Sequence, residues 1–121
     1  MTLETIREIN VGRFKVKVTA EVENFADLSF DETGEIERQI QDGTMQVFCA
    51  KATCYLDGRE LAVDYLGGCI YKTPADFQDH KGIRKQGANV GSYFSAMVRT
   101  VCREARQSLQ SMQEVKVRKT A

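Results

Sequence analysis

The chain has 121 residues, 42% of them hydrophobic, which suits one domain with a single core and is too short for two. Its 17 basic and 17 acidic residues cancel, and this excludes generic duplex DNA as an expected partner, because nonspecific affinity for DNA grows with the number of phosphates neutralised. No apolar run is long enough to cross a membrane or to act as an export signal, so we expect a cytoplasmic protein without a membrane segment.

The two halves of the chain carry opposite charge. Residues 1–71 contain 7 Lys and Arg against 13 Asp and Glu (net −6), and residues 72–121 contain 10 against 4 (net +6). Either the C-terminal half binds an anion, or acidic and basic parts pair within the fold or between copies of it. Both interpretations stay open at this point.

Motifs for metal binding and catalysis are absent from the sequence. The four cysteines form no Cys-x-x-Cys pair and there is one histidine, so we expect no metal site and buried reduced thiols at Cys49, Cys54, Cys69 and Cys102. His80, beside Asp79 in a polar stretch, is typical of a surface residue, and no serine stands in a nucleophile elbow. We therefore expect a protein that is not an enzyme and uses no cofactor.

Residues 13–23 alternate between apolar and polar side chains, which predicts a strand with one buried face made by Phe14, Val16, Val18, Ala20 and Val22. A short helix is predicted next. Asp31 is its expected N-cap, it passes through Ile36 and Ile40, and Asp42-Gly43 closes it.

A β-hairpin over residues 44–66 is the clearest local signal, because Asp57-Gly58 favours a two-residue turn. If Leu56 pairs with Arg59, the apolar members of both strands share one face. That register predicts the pairs Cys54 with Leu61, Ala52 with Val63, Ala50 with Tyr65, Lys51 with Asp64 and Tyr55 with Glu60.

Gly67-Gly68 interrupts the second strand of this hairpin, which indicates a β-bulge or a point where another group approaches the backbone closely. Thr73-Pro74 then predicts the start of a short helical turn through Phe77.

A long amphipathic helix is predicted from Ser92, its N-cap, to about Met112. One arc of the helix is apolar and contains Phe94, Met97, Val98, Val101, Cys102, Ala105 and Leu109. The remaining tail, residues 113–121, is polar and basic, and we expect it to fray. The whole pattern predicts one α+β domain over residues 1–121, with an antiparallel β-sheet in the first half covered by a C-terminal helix or helices.

The helix also carries a basic stripe made by Arg99, Arg103 and Arg106, and a basic, glycine-punctuated segment, residues 81–91, precedes it. Backbone N–H groups at a helix start and arginine forks both suit phosphate. The segment lacks the Gly-Lys-Ser ending of a P-loop, so ATP hydrolysis is not supported. The alternative interpretation of the arginine stripe is a solvated helix face, whose positive charge is balanced by Glu104 and the acidic N-terminal half.

Other side chains near this segment have the chemistry to contact a nucleotide. Asn89 can donate to and accept from a base or ribose, and Tyr71, Phe77 and Tyr93 have aromatic faces on which a purine can stack. For each aromatic residue the alternative is packing within the fold.

The C-terminal half resembles the first Thoeris anti-defence family, phage proteins that sequester cyclic ADP-ribose signals without cleaving them. The segments that carry the resemblance are 64–71 (DYLGGCIY), 74–77 (PADF), 91–94 (GSYF), 97–99 (MVR) and 104–106 (EAR). It covers about the last 60 residues and the general order of a β-rich first half.

The resemblance implies a β-sheet wrapped by C-terminal helices, assembled as homodimers or higher homo-oligomers, with ligand pockets lined by residues of two copies. It also implies that an aromatic residue, an asparagine before the long helix and arginines of that helix bind the cyclic nucleotide. In this chain those residues are Phe77, Asn89, Arg103 and Arg106, with Arg99 possible; Ser92 and Tyr93 are further candidates.

Two other functions remain open. The chain could be a phage inhibitor that binds a host defence protein directly, in the manner of an anti-CRISPR, with Glu32, Glu35 and Glu37 on an acidic surface that mimics nucleic acid. A phosphodiesterase ranks last, because the sequence marks no acid and base pair.

Overall fold

The computed structural model describes residues 2–23, 28–29, 31–79 and 93–120, and their side chains except that of Asp79 and those after Met112. The elements in these residues are β1 (Thr2–Val11), β2 (Phe14–Glu21), α1 (Glu35–Gln41), β3 (Gln46–Leu56), β4 (Arg59–Tyr71), α2 (Asp76–Asp79) and α3 (Tyr93–Thr120). The strands form one antiparallel sheet in the order β1-β2-β3-β4, and α3 packs on β2, β3 and β4. The predicted α+β class, with a sheet covered by a C-terminal helix, is confirmed.

Strand β2 has the buried face that its alternation predicts. Phe14, Val16, Val18 and Ala20 are buried, whereas Val22 lies beyond the end of the strand and is exposed. The same face continues onto β3, since Val16 pairs with Cys54 and Ala20 with Ala50. These small and branched side chains form the floor on which α3 packs.

Strand β1 was not predicted. It pairs with β2 through the tight turn at Gly12, from Val11 opposite Phe14 to Thr2 opposite Glu21. Only Ile6 of this strand is buried, at an irregularity between Thr5 and Arg7 that interrupts the alternation. Strands are recognised in a sequence by the alternation of apolar and polar residues. An edge strand with one buried side chain and an interrupted alternation shows little of this pattern.

The hairpin between β3 and β4 has the predicted turn, with positive φ at both Asp57 (51°) and Gly58 (80°), but the predicted register holds only next to that turn. Leu56 pairs with Arg59 and Tyr55 with Glu60 as expected; an irregularity then shifts the register, so Cys54 pairs with Ala62, not Leu61. The later predicted pairs are wrong by one residue: Ala52 pairs with Asp64, Ala50 with Leu66 and Lys51 with Tyr65.

The physical reason is a β-bulge at Leu61, which supplies one extra residue to β4. A shift of one residue exchanges the two faces of a strand. Ala62 is therefore buried beside Cys54, and Tyr65 is 60% exposed on the opposite face. Leu61 still packs against the core from the bulge itself.

A second bulge lies at Gly67-Gly68, as predicted. Ala50 pairs with Leu66 and Phe48 with Cys69, so the two glycines stand opposite the single residue Cys49. Gly68 has φ +67°, a conformation that favours glycine. The bulge returns Cys69 to the core face of the sheet, where it is buried.

Helix α1 is present, but its predicted N-cap is wrong. Gly34, with φ 73°, occupies the N-cap position and makes no side-chain cap. Asp31 acts from farther away, because its carboxylate accepts a hydrogen bond from the Glu37 N–H at 3.0 Å. The predicted end is confirmed at Asp42, followed by Gly43 at φ 84°. No α1 residue is buried.

Helix α3 buries the predicted arc: Phe94, Met97, Val98, Val101, Cys102 and Ala105 are buried, and Leu109 packs against them. Its predicted end is wrong, because the helix continues past Met112 to Thr120. Residues 113–120 include one glutamate, three basic residues and no glycine or proline, so the segment lacks a helix-stopping signal despite its polarity. No helix in the described residues is both long and apolar enough to cross a membrane.

Candidate functional site

A pocket of about 400 Å³ lies where helix α1, the end of strand β4 and the start of helix α3 meet. This volume is in the range of small-molecule sites. Among the described residues, the side chains that line it carry no charge: they are Ile36, Met45, Leu66, Gly67, Gly68, Cys69, Ile70, Tyr71 and Tyr93. The pocket is therefore an apolar cavity with two tyrosines and exposed strand backbone.

Two tyrosines give the pocket its aromatic surface. Tyr93, in the first turn of α3, is 49% exposed and presents its ring to the pocket side of the helix. Tyr71 is held more firmly, with its ring centroid 5.6 Å from that of Phe77 and 5.9 Å from that of Phe48. Burial raises the pKa of the Tyr71 hydroxyl, with smaller contributions from Cys69 and Tyr93, so this hydroxyl stays neutral at physiological pH.

The bulge at Gly67-Gly68 forms one wall of the pocket, and the chain's own carboxylate of Glu23 contacts it. Glu23 Oε2 accepts a hydrogen bond from the Gly68 N–H at 3.0 Å. The same oxygen lies 3.1 Å from the position that a Cβ on Gly67 would take. The close approach that the double glycine predicted is thus made by an acidic side chain from the end of β2.

Comparison of the chain with protein-family models, curated proteins and solved structures found no match. The chemistry of the site has to be judged from its own residues.

Phe77, predicted as an aromatic ligand contact, lies in the core. It is 1% exposed, and its ring packs edge-on against Phe48, Tyr71 and Phe94 at centroid distances of 6.1, 5.6 and 6.4 Å. A ring enclosed in this way has no free face on which a purine can stack, so its burial argues against a direct contact. Tyr71 and Tyr93, the other aromatic candidates, are the ones that line the pocket.

The arginine stripe is exposed at all three positions, Arg99, Arg103 and Arg106. In the described part of the chain none of the three makes an ion pair, and the one ion pair found there joins Lys15 to Glu8 at 3.5 Å. The stripe is turned from Tyr93 by about 80–140° around the helix, and its members lie about 9, 15 and 20 Å farther along the axis. A single copy therefore does not bring Tyr93 and all three arginines to one ligand.

Asn89 and Ser92 lie outside the described residues. Their assignment to the site, and that of the basic segment 81–91, stays a prediction.

A second concavity, of about 450 Å³, lies at the β1-β2 turn on the other side of the molecule. Its charged side chains include Glu8, Arg13, Lys15, Lys17 and Asp57, and Glu8 already pairs with Lys15. Acidic and basic groups are mixed there, so it shows no preference for an anion.

The four cysteines are free thiols, and three of them, Cys54, Cys69 and Cys102, are buried. Burial raises the pKa of Cys54 and of Cys69 to about 11, and the neighbouring Cys102 thiol adds to the effect at Cys54. Such thiols are almost wholly protonated at neutral pH and are weak nucleophiles. Among the described residues, no group of three or more His, Cys, Asp or Glu side chains is arranged to bind a metal ion.

Sequence reasoning named Tyr71 and Tyr93 and singled out Gly67-Gly68, but missed Ile36, Met45, Leu66 and Glu23. Ile36 belongs to α1, Met45 to the turn before β3 and Leu66 to β4, and only the tertiary fold brings them together. Glu23 reaches Gly68 across 45 residues of sequence, and no local pattern marks that contact.

Proposed function

We propose that the protein binds a cyclic ADP-ribose type of nucleotide and holds it without cleaving it, so that a phage can counter a host defence signal in the cytoplasm. The observation that supports this most is the uncharged pocket bounded by Tyr71 and Tyr93, at the start of the helix that carries the arginine stripe. Aromatic rings, backbone groups and cations are what a ligand with a purine, two riboses and a diphosphate requires.

The arginine stripe enters this proposal through a second copy of the chain. Arg103 and Arg106 lie about 15 and 20 Å along α3 from Tyr93, too far for one copy to use them at its own pocket. A homodimer that places the stripe of one copy over the pocket of the other combines the tyrosines with the cations. The stripe is exposed and makes no ion pair in the described residues, so it is accessible to such a partner.

Binding without cleavage is proposed because the described part of the pocket lining offers no acid and base pair. The ionisable groups in that part are Cys69, with a pKa raised by burial to about 11, and the phenols of Tyr71 and Tyr93. General acid and base catalysis near pH 7 works best with groups whose pKa values lie near 7.

The deciding experiment is a thermal melt of the purified protein with each isomer of cyclic ADP-ribose, followed by mass spectrometry of the small molecules released on denaturation. We expect a rise in Tm that grows with ligand concentration, and release of the intact ligand. No change of Tm at saturating ligand contradicts the proposal, and release of a hydrolysed product contradicts its non-enzymatic part.

The second candidate function is direct inhibition of a host defence protein through the acidic helix α1. Glu35 and Glu37 are exposed in its first turn, and no residue of the helix is buried. Reversing the charges at Glu32, Glu35 and Glu37 distinguishes the two functions. Loss of activity after that change, with activity kept when Arg103 and Arg106 are replaced, favours the inhibitor.

A further inference from the structure

The Glu23 carboxylate places a fixed negative charge on one wall of the uncharged pocket. It accepts the Gly68 N–H at 3.0 Å and lies over Gly67 as well, and both glycines line the pocket. The bulge would otherwise offer that N–H to a ligand anion. The Glu23 carboxylate thus occupies the Gly68 N–H, which is no longer available to an anion of the ligand.

The field of this carboxylate reaches the pocket. Its charge contributes to the raised pKa values of Cys49 and of Cys69, and Cys69 is a lining residue. Among the described residues, no side chain that lines the pocket is cationic. A phosphate that entered would lose its hydration and would face the like charge of Glu23.

We propose that Glu23 determines the specificity of this pocket, which accepts the uncharged nucleoside part of a ligand and excludes its phosphates. This inference rests on the proposed nucleotide-binding function and adds the orientation of the ligand. The base and ribose lie against Tyr71 and Tyr93, and the phosphates remain outside, where the arginines of a second copy can meet them. Glu23 acts through charge and through its contact with Gly68.

Adenosine and adenosine monophosphate test this directly, because they differ only in the phosphate. Binding of each is measured by calorimetry to the full chain carrying Arg103→Ala/Arg106→Ala, in which these two arginines of a second copy cannot meet the phosphate. The same measurement is made after Glu23→Gln or Glu21→Gln is added to this parent chain. The amide of Gln keeps an oxygen that can accept the Gly68 N–H, so Glu23→Gln removes the charge and preserves the bulge. Glu21→Gln is the matched control: it removes an equal charge two residues earlier, where one carboxylate oxygen is buried with no hydrogen-bond partner among the described residues.

We expect the parent chain with Arg103→Ala/Arg106→Ala to bind adenosine about tenfold more tightly than the monophosphate. Adding Glu23→Gln should reduce this ratio of affinities by on the order of fivefold, whereas adding Glu21→Gln should leave it within about twofold. Raising the ionic strength should lower the ratio of the parent chain in the same direction, which tests the charge effect without a change at Glu23. The backbone amide signal of Gly68 in a nuclear magnetic resonance spectrum should shift on addition of adenosine.

The inference is overturned if Glu23→Gln does not change the ratio of the two affinities, or if the parent chain with Arg103→Ala/Arg106→Ala binds the two compounds equally. Either result overturns it even if cyclic ADP-ribose binds to the wild type. Failure of both compounds to bind also overturns it. Failure of the proposed function has a different signature, because then cyclic ADP-ribose itself produces no rise in Tm.

Discussion

The ring of Phe77 stands nearly perpendicular to the ring of Phe94, with 6.4 Å between their centroids. Phe77 belongs to the short helix α2 and Phe94 to the first turn of α3, so this contact joins the two helices. Phe48 and Tyr71 complete the cluster from β3 and β4. The aromatic residue chosen from the sequence as a ligand contact therefore connects the sheet with the helical layer.

Replacing Phe77 by Ala should destabilise the fold by about 3–5 kcal/mol, because it leaves a cavity in a packed aromatic cluster. The free energy of unfolding from urea denaturation measures the loss. Tyr93→Ala, at a 49% exposed position, is the control and should change the stability by less than about 0.5 kcal/mol. A Phe77→Ala protein of full stability and reduced ligand affinity would restore the role as a ligand contact.

Tyr93→Ala should weaken binding of cyclic ADP-ribose by on the order of tenfold, because loss of aromatic stacking on a base costs about 1–3 kcal/mol. Calorimetry measures the affinity, and Tyr93→Phe, which keeps the ring, should retain most of it. The comparison carries weight only if the Tm without ligand is unchanged in both variants. Equal affinities of Tyr93→Ala and the wild type would remove this residue from the site.

Arginines supplied by a second copy predict complementation between two variants that each bind weakly. Tyr93→Ala and the double variant Arg103→Ala/Arg106→Ala should each bind cyclic ADP-ribose with reduced affinity when pure. Co-expression of the two should restore about one quarter of the sites, since half of randomly formed dimers are mixed and each has one intact site. Calorimetric stoichiometry measures the restored fraction. If the mixture contains no sites of wild-type affinity while size-exclusion chromatography shows dimers, the pocket does not combine residues of two copies.

The buried thiols make stability fall at alkaline pH. The pKa values of Cys54 and Cys69 are about 11 in the folded chain, against 9.0 for an ordinary thiol. The unfolded chain thus loses its thiol protons first as the pH rises. Stabilisation from these groups is complete below about pH 9 and is lost between about pH 9 and 11.

Urea denaturation at pH 8, 9, 10 and 11 measures this loss. The double variant Cys54→Ala/Cys69→Ala should have a lower free energy of unfolding at pH 8 and a shallower decline above pH 9. Other groups titrate equally in both proteins, so the difference between the curves isolates the two thiols. If the free energy of unfolding depends on pH in the same way in both proteins, the loss of stability does not come from Cys54 and Cys69.

The bulge makes glycine important at position 68. Its φ of +67° disfavours a side chain, although a Cβ there would contact nothing within 4 Å, so the cost of Gly68→Ala comes from the backbone alone. We expect a loss of about 1–2 kcal/mol in the free energy of unfolding. Gly68→Asn should lose less, because asparagine tolerates this conformation better. A greater loss for Asn than for Ala would show that contacts, and not φ, limit the position.

Elements with a regular period were predictable from sequence because burial on one face fixes which positions are apolar. This holds for β2 and for the core arc of α3, whose residues from Phe94 to Ala105 were assigned correctly. The turn at Asp57-Gly58 was predictable because its backbone conformation restricts the residue types.

Features set by tertiary packing were not predictable. The bulge at Leu61 has no glycine to mark it, and the simple alternating register produced an equally apolar face. Strand β1 buries only Ile6, too little to produce a period. The pocket likewise depends on Ile36, Met45 and Tyr93 meeting from distant parts of the chain. Of the residues that line the pocket, only the two glycines and the two tyrosines could be proposed for a special role from the sequence.

The two bulges of β4 also govern how the sheet meets its surroundings. This strand is the last of the sheet, and an ordinary edge of 13 residues would present a long row of unpaired N–H and C=O groups to any passing strand. Irregularities at Leu61 and at Gly67-Gly68 break that row into short pieces, so β4 is a poor template for strand addition. Edge-to-edge association of two copies through β4 is therefore disfavoured by the backbone of the strand itself, whatever side chains it carries.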